Sequence, residues 1–390
     1  MRPLTLNSLR RVTSSRLYIP EIDGLRFIAI AYVVIFHISE LTRFTGAPIT
    51  QGVLFTPLFT AIHHGARGVP FFFAISGMVL GLPFARHHLA GHDRVALKPY
   101  LMRRVTRLEP PYLANLFLRM PLAMAAKHIP LMSGISHLAV SIFYADWIIY
   151  GATPAIHPPS WSLAVEVQFY LLAPAIAWVL YRGTDSVRWL VSLALLVGGC
   201  FASWYFAGEE LHGAARLSIL YFSQYFIAGM LMADIYVTSM ERIPETFVWD
   251  LLAFPSLIAF FLVPDQFARF LLAPIIVIVF LAAFRGRLLR PFLRLPVVSI
   301  TGGMCYSIYL THSLTLQGGM AALVWGRDRL GLHPDFWVLY AVALLTIIPL
   351  ILFIAVIFFV LIERPCMDPH WPHKLMKWLR ERPQPQPLQA

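Results

Sequence analysis

Apolar residues run along this chain in stretches of about twenty, broken by short segments that gather arginine, proline and glycine. A helix rises about 1.5 Å per residue, so roughly twenty apolar residues cross the hydrocarbon layer of a bilayer. Windows of that length predict helices near residues 24 to 42, 66 to 84, 108 to 126, 160 to 181, 188 to 207, 216 to 237, 247 to 263, 267 to 284, 297 to 322 and 337 to 362. The expected fold class is all-α: a polytopic transmembrane bundle of about ten spans.

Composition agrees with a bilayer setting. Of 390 residues, 58% are hydrophobic and 13% charged, with a mean hydropathy of +0.68, whereas a soluble domain carries about twice that charge. The net charge of +11 would suggest nucleic acid in a soluble protein, but the basic residues sit in short loops between apolar segments, so nucleic acid is not an expected partner and membrane lipids are. With the N-terminus taken as cytoplasmic, 22 of the 31 Lys and Arg residues fall in inside segments, and only Arg43, Lys127, Arg327 and Arg329 fall in outside loops. That bias follows the positive-inside rule and puts both termini in the cytoplasm.

Residues 1–365 are read as one membrane domain and residues 366–390 as a cytoplasmic tail, partly disordered because RERPQPQPLQA is rich in Pro and Gln. The first apolar run follows several arginines in the manner of a signal peptide; cleavage would remove that run, so an uncleaved signal anchor is expected. The longest outside loop, roughly 127 to 159, contains ISHLAVSIFYADWIIY, which reads as a re-entrant or interfacial segment. Cys200, Cys305 and Cys366 have no paired spacing, and the pairs His63, His64 and His87, His88 lack accompanying carboxylates or cysteines, so no disulfide framework and no metal site are expected.

Ionisable groups in hydrocarbon are costly and need a reason. In GLRFIAIAYVVIFHISEL, Arg26 and His37 are eleven residues apart; eleven steps of 100° return within about 20° of a whole number of turns, so both share one helix face, about 16 Å apart along the axis. A neutral imidazole in a cavity can take a proton from an alcohol; His37 is either such a base or a buried histidine satisfied by a neighbour. Arg26 follows Asp23 by three residues, a spacing for a local ion pair, and Asp23 can also serve as the helix N-cap; Arg26 is alternatively a snorkelling interfacial arginine.

In RRVTRLEPPY, Arg104 and Arg107 share a helix face where the third span enters from the cytoplasm. Guanidinium forks match phosphate oxygens; the other reading of both residues, and the preferred one for Arg103, is ordinary positive-inside charge. Glu166, in HPPSWSLAVEVQFYLLAPAI, lies about 9 Å below the outer surface by residue count. That is a depth similar to His37's, which would let it orient the imidazole; a structural role among helices is the alternative. Tyr306, Tyr309 and His312 in GGMCYSIYLTHSL, Trp161, and Ser76 beside Gly77 in RGVPFFFAISGMVL are further candidates for lining a site, although Gly and Ser pairs also permit close helix packing.

Taken in order, these segments resemble the integral-membrane acyltransferase 3 family. DGLRFIAIAYVVIFH is similar to its Arg, ten residues, His signature at Arg26 and His37, and RVTR to its Arg-x-x-Arg motif at Arg104 and Arg107. VPFFFAISGMVL, PSWSLAVEVQFYLLAP, FIAGMLMA, CYSIYLTHS and FVLIERP resemble the later blocks, closing at Ile362 to Pro365. Two departures stand out: Val69 and Pro70 occupy positions where an acid is common, and Val167 replaces a second acid after Glu166.

The resemblance implies an O-acyltransferase of the bacterial inner membrane that takes an acyl group, by default acetyl, from cytoplasmic acyl-CoA to an extracytoplasmic glycan or glycolipid. It implies His37 as base or acyl carrier, Arg26 as a donor-orienting cation, Glu166 beside them, and Arg104 with Arg107 on the CoA phosphates. The sequence shows no hydrolase-like domain such as some relatives carry, so the bundle is expected to acylate its acceptor itself or to pass the group to a separate protein. A polar-solute carrier or flippase, using the same Arg, His and Glu as a substrate or proton path, is the rival class.

Overall fold

The structure, a computed structural model, describes residues 9–11, 18–49, 56–207, 215–368 and 371–373. The Pro/Gln-rich tail beyond residue 373, and with it Lys374, Lys377, Arg380 and Arg382, lies outside the described residues, as do Arg2 and Arg16. The described residues form helices and no strands. In order these are α1 (Pro20–Arg43), α2 (Pro57–His63), α3 (Gly68–Ala90), α4 (Leu97–Lys127), α5 (Leu131–Ile142), α6 (Asp146–Ile149), α7 (Trp161–Leu180) and α8 (Asp185–Ala207). There follow α9 (Ile219–Thr238), α10 (Phe247–Leu262), α11 (Asp265–Arg285), α12 (Leu289–Arg294), α13 (Pro296–Gly303), α14 (Cys305–Arg329), α15 (Phe336–Phe358) and α16 (Arg364–Cys366).

Every window expected to cross the membrane falls on helix, the 297 to 322 window on α13 and α14 together, but among the described residues only seven stretches are long and apolar enough by length and composition: Pro20–Arg43, Pro57–Ala90, Pro158–Leu180, Asp185–Ala207, Ala215–Thr238, Asp265–Arg285 and Phe336–Cys366. The other three windows differ for two reasons. Helices α4 and α14 carry polar faces, with Asn115 and Arg119 on the first and Ser307, Thr311 and His312 on the second all buried against protein, where hydrocarbon never meets them. Helix α10 has only 16 residues, about 24 Å of helix.

Between helices in a bilayer the hydrophobic drive is weak, and close packing takes its place. The α3–α9 seam shows how: a Cβ on Gly229 would lie 1.9 Å from the Ala74 carbonyl oxygen, and one on Gly77 would lie 2.2 Å from that of Phe226. Only glycine lets these backbones approach so closely. Around the seam Phe226 stacks on Phe73 at 4.8 Å and on Phe169 at 4.1 Å between ring centres, which locks α7 onto the pair.

Helix α1 serves two cores at once. Ile22, Leu25 and Ala29 belong to the cluster built on α3, α9 and α11, while Ile30, Val34 and Ile38 pack with Leu316, Tyr340 and Ile347 of α14 and α15. Its remaining stripe, Arg26, Ile30, Val33 and His37, faces an internal cavity, the 4-3-4 spacing of one helix face. The start of α1 is pinned by α13, where a Cβ on Gly302 would lie 1.7 Å from the Asp23 carbonyl oxygen. The loop expected as re-entrant or interfacial folds into α5 and α6: Leu138 and Ile142 pack near Tyr112, and Leu131, Met132, Ile135 and Ile149 stay exposed, an arrangement suited to an interface plane.

Candidate active site

One cavity of about 300 Å³ lies among α1, α3, α4, α7 and α14. Arg26, His37, Ser76, Arg104, Arg107, Trp161, Glu166, Tyr306, Tyr309 and His312 all line it, so ten of the eleven side chains singled out from the sequence meet in one place. Asp23 does not reach the cavity; it stands behind Arg26.

At one end sit the cations. Fully buried Asp23 accepts from Arg26 Nη1 at 2.7 Å and from Arg11 Nε at 2.6 Å, so one carboxylate fixes two guanidiniums. The ion pair expected from the i, i+3 spacing is present, but Asp23 is not the helix cap: α1 begins at Pro20, with Ile19 as N-cap. Proline favours the first helical position, which moves Asp23 inside the first turn, where its charge still meets the positive end of the helix.

Arg104 and Arg107 project from successive turns of α4 toward Arg26, whereas Arg103 is exposed on the other face. Both Nε atoms are buried without a partner, and Arg104 leans over the Tyr100 ring at 5.8 Å. Buried donors that the protein leaves unmet fit a ligand that brings acceptors.

Midway, Glu166 accepts a 2.5 Å hydrogen bond from Ser76 Oγ, and Tyr170 also hydrogen-bonds it. Counting residues from helix ends had allowed Glu166 to orient His37; the described residues show no hydrogen bond between them, and Arg26 lies in electrostatic range of Glu166. Tyr306 donates to the Leu108 carbonyl at 2.8 Å, and Tyr309 donates to that of Pro159 at 2.6 Å. These bonds tie α14 to α4 and to the start of α7.

The far end carries imidazoles. His37 and His312 lie with ring centres 5.3 Å apart. His312 Nδ1 is 2.8 Å from the Tyr309 carbonyl oxygen, so Nδ1 carries the proton and Nε2, which has no partner, keeps its lone pair. No protein hydrogen bond holds the His37 ring among the described residues, which leaves it free to meet a ligand in the cavity. This set can bind an anionic group at one end and move a proton at the other.

A family model described as an acyltransferase domain matches residues 19–364. The chain belongs to this acyltransferase domain family. Relatives of the chain include the peptidoglycan O-acetyltransferase OatA of Listeria monocytogenes, 26% identical over 208 residues, which are 50% of this chain and 30% of the relative. The O-acetyltransferase OatA of Staphylococcus aureus is 26% identical over 338 residues, 78% of this chain and 51% of the relative. The chain thus spans about half or less of the length of these relatives. No solved structure matches it.

Glu363 is a cavity carboxylate to which its spacing in the sequence gave no role. It ends a π-helical turn, Phe359–Glu363, fully buried, with Oε2 accepting from the Ser307 amide at 2.9 Å and from its hydroxyl at 2.5 Å; Oε1 has no partner. Arg107 and Arg26 are the cations in its electrostatic range. Two signals were available: Glu363 is the one acid between Asp335 and Asp368 after a long apolar run, and π turns concentrate at functional sites.

Proposed function

We propose that this protein is an acyl-CoA-dependent membrane O-acyltransferase, which moves an acetyl group from cytoplasmic acetyl-CoA to a hydroxyl of an extracytoplasmic glycan. One observation carries the reading: a single cavity has unmet guanidinium donors at one end and a free imidazole at the other. With the orientation given by the basic loops, the guanidinium end opens toward the cytoplasm and the imidazole end toward the outside of a bacterial inner membrane.

In this reading Arg104 and Arg107 hold the CoA phosphates, since guanidinium pairs bind phosphate through several charge-assisted hydrogen bonds. The thioester then lies along the Arg26–His37 stripe. Arg26, fixed by Asp23, faces the carbonyl oxygen and stabilises the charge that develops there. His37 takes the proton of the acceptor hydroxyl as the oxygen attacks the thioester carbon, the C–S bond breaks, and the proton passes to the leaving thiolate. A two-step route, in which His37 Nε2 carries the acetyl group before the hydroxyl takes it, uses the same atoms. Glu166, held by Ser76, offsets the charge of Arg26.

The O-acetyltransferase names of the relatives, one of them a peptidoglycan enzyme, support acetyl as the group and a glycan as the acceptor. The test is direct: membranes holding the protein are incubated with acetyl-CoA, with and without surface glycan, and released CoA and O-acetylated sugar are quantified. Glycan-dependent CoA release together with new O-acetyl groups is the expected outcome; neither product appearing would overturn the reading.

A further inference from the structure

Helix α4 places Asn115 and Arg119 one turn apart, both facing α14 and the segment before α7. Arg119 is 3% exposed, yet its partners are neutral: Nε donates to the Ile156 carbonyl at 3.3 Å and Nη1 donates to Ser313 Oγ at 2.8 Å. No carboxylate pairs with it among the described residues, in contrast to Arg26, Arg67 and Arg188, which each have one. A cation removed from water without a counterion is costly to keep.

The neighbours of Arg119 are equally unmet. His157 is fully buried, and neither of its ring nitrogens has a partner. Its ring packs edge-on against Tyr309 at 5.8 Å and lies in electrostatic range of Arg119 and His312. Asn115 donates through Nδ2 to the Leu310 carbonyl at 3.0 Å, but its Oδ1 is buried and unpartnered, as is His312 Nε2. Native structures rarely bury several such atoms together without something to satisfy them. Pro158, Pro159, Tyr309 and His312, which border the cluster on one side, line the cavity on the other, just past His37.

We propose that this cluster is the acceptor subsite and that it takes an anionic saccharide. The assignment rests on the acyl-transfer reading above. A carboxylate or phosphate group on the acceptor pairs with Arg119, whose Nη2 is not engaged, while Asn115, His157 and His312 meet neighbouring hydroxyls. The anchored sugar then presents one hydroxyl to His37. A neutral sugar would leave the Arg119 charge uncompensated, so the cluster selects acidic glycans over neutral ones of the same shape.

The test uses the full chain in lipid nanodiscs and three soluble probes: trigalacturonic acid, neutral trigalactose, and trigalactose bearing a phosphate. Binding is measured by calorimetry, and transfer is measured separately with radiolabelled acetyl-CoA. Wild type is expected to bind an acidic probe about tenfold or more tightly than the neutral one, the scale of one charge-assisted contact; the preferred acidic probe tells carboxylate from phosphate. Arg119→Gln should erase the preference, and so should Ser313→Asp, which hands the guanidinium an internal carboxylate without emptying the core. Acetyl-CoA binding should stay within about twofold in both, as for a site remote from the donor.

Equal binding of acidic and neutral probes by wild type, or a preference that survives in Ser313→Asp, would overturn the subsite and leave bound water as the partner of these groups. Arg119-dependent binding of an acidic probe with no acetyl reaching any probe would sink the transfer reading and spare the subsite. Acetyl transfer to acidic and neutral probes at equal efficiency would do the reverse.

Discussion

The two ends of the cavity are built from different chemistry and are held in different ways. At the Arg104 and Arg107 end the groups are permanent cations; Asp23 fixes Arg26, and the arginines of α4 keep unmet Nε donors. At the His37 end the functional groups are imidazoles, one of them pinned by a backbone carbonyl. A guanidinium is charged under all physiological conditions and needs a counterion, so the first end suits a ligand that carries its own negative charge. An imidazole can lose and regain a proton, so the second end suits a reaction in which a proton moves. Binding and chemistry are thereby separated along a single helix face, about 16 Å apart.

Mutations that strike one end and spare the other test this division. His37→Ala should cause the largest loss, about 10² to 10⁴-fold in acetyl transfer, the usual weight of a positioned general base; acetyl-CoA binding, read by calorimetry, should be unchanged. The double variant Arg104→Ala with Arg107→Ala should weaken apparent acetyl-CoA affinity by about 10 to 100-fold, as expected for lost charge-assisted bonds. Its rate at saturating donor should hold. Ser76→Ala removes the hydroxyl that holds Glu166 and should slow transfer by about tenfold or less, the scale of one hydrogen bond to a charged group; a steady-state assay at saturating substrates reads it. Arg103→Ala, on the exposed face of the same turn, should change every one of these quantities by about twofold or less. An effect of Arg103 as large as that of its neighbours would mean that the basic run acts as general charge, and the division between the two ends would blur.

How much of this was legible in the sequence depends on whether a feature is local to one helix. The stripe Arg26, Ile30, Val33, His37 follows from helical periodicity alone, as does the outward turn of Arg103 next to the inward Arg104. The Asp23–Arg26 ion pair is likewise a contact within one helix turn. The cap role of Asp23 failed because Pro20 starts the helix earlier. The pairing of Glu166 depends on two helices at once: equal residue counts give equal depth only for upright helices that start in one plane, and α7 enters through a 3₁₀ turn at Pro158–Ser160. Glu166 therefore meets Ser76 on α3 and not His37.

Window counting found every membrane-sized helix but credited α4 and α14 with more apolar character than they have, because both bury polar faces against the rest of the protein. Those faces carry Arg119 and His312. Nothing in the spacing of Arg119 hinted at its neutral surroundings, which arise only when α4, α14 and the segment before α7 come together. Glu363 was masked for a similar reason, since its turn at the end of α15 matters only beside Ser307 of α14.

The central claim is that one cavity carries an acyl group from the guanidinium end to the imidazole end. Proteoliposomes with the protein inserted in one known orientation would test it, with labelled acetyl-CoA supplied on a single side and a soluble acidic oligosaccharide on the other. Label should reach the saccharide when donor is on the Arg104 and Arg107 side and acceptor on the His37 side, and His37→Ala should abolish it. Equal labelling with donor and acceptor exchanged, or full labelling by His37→Ala, would contradict the account.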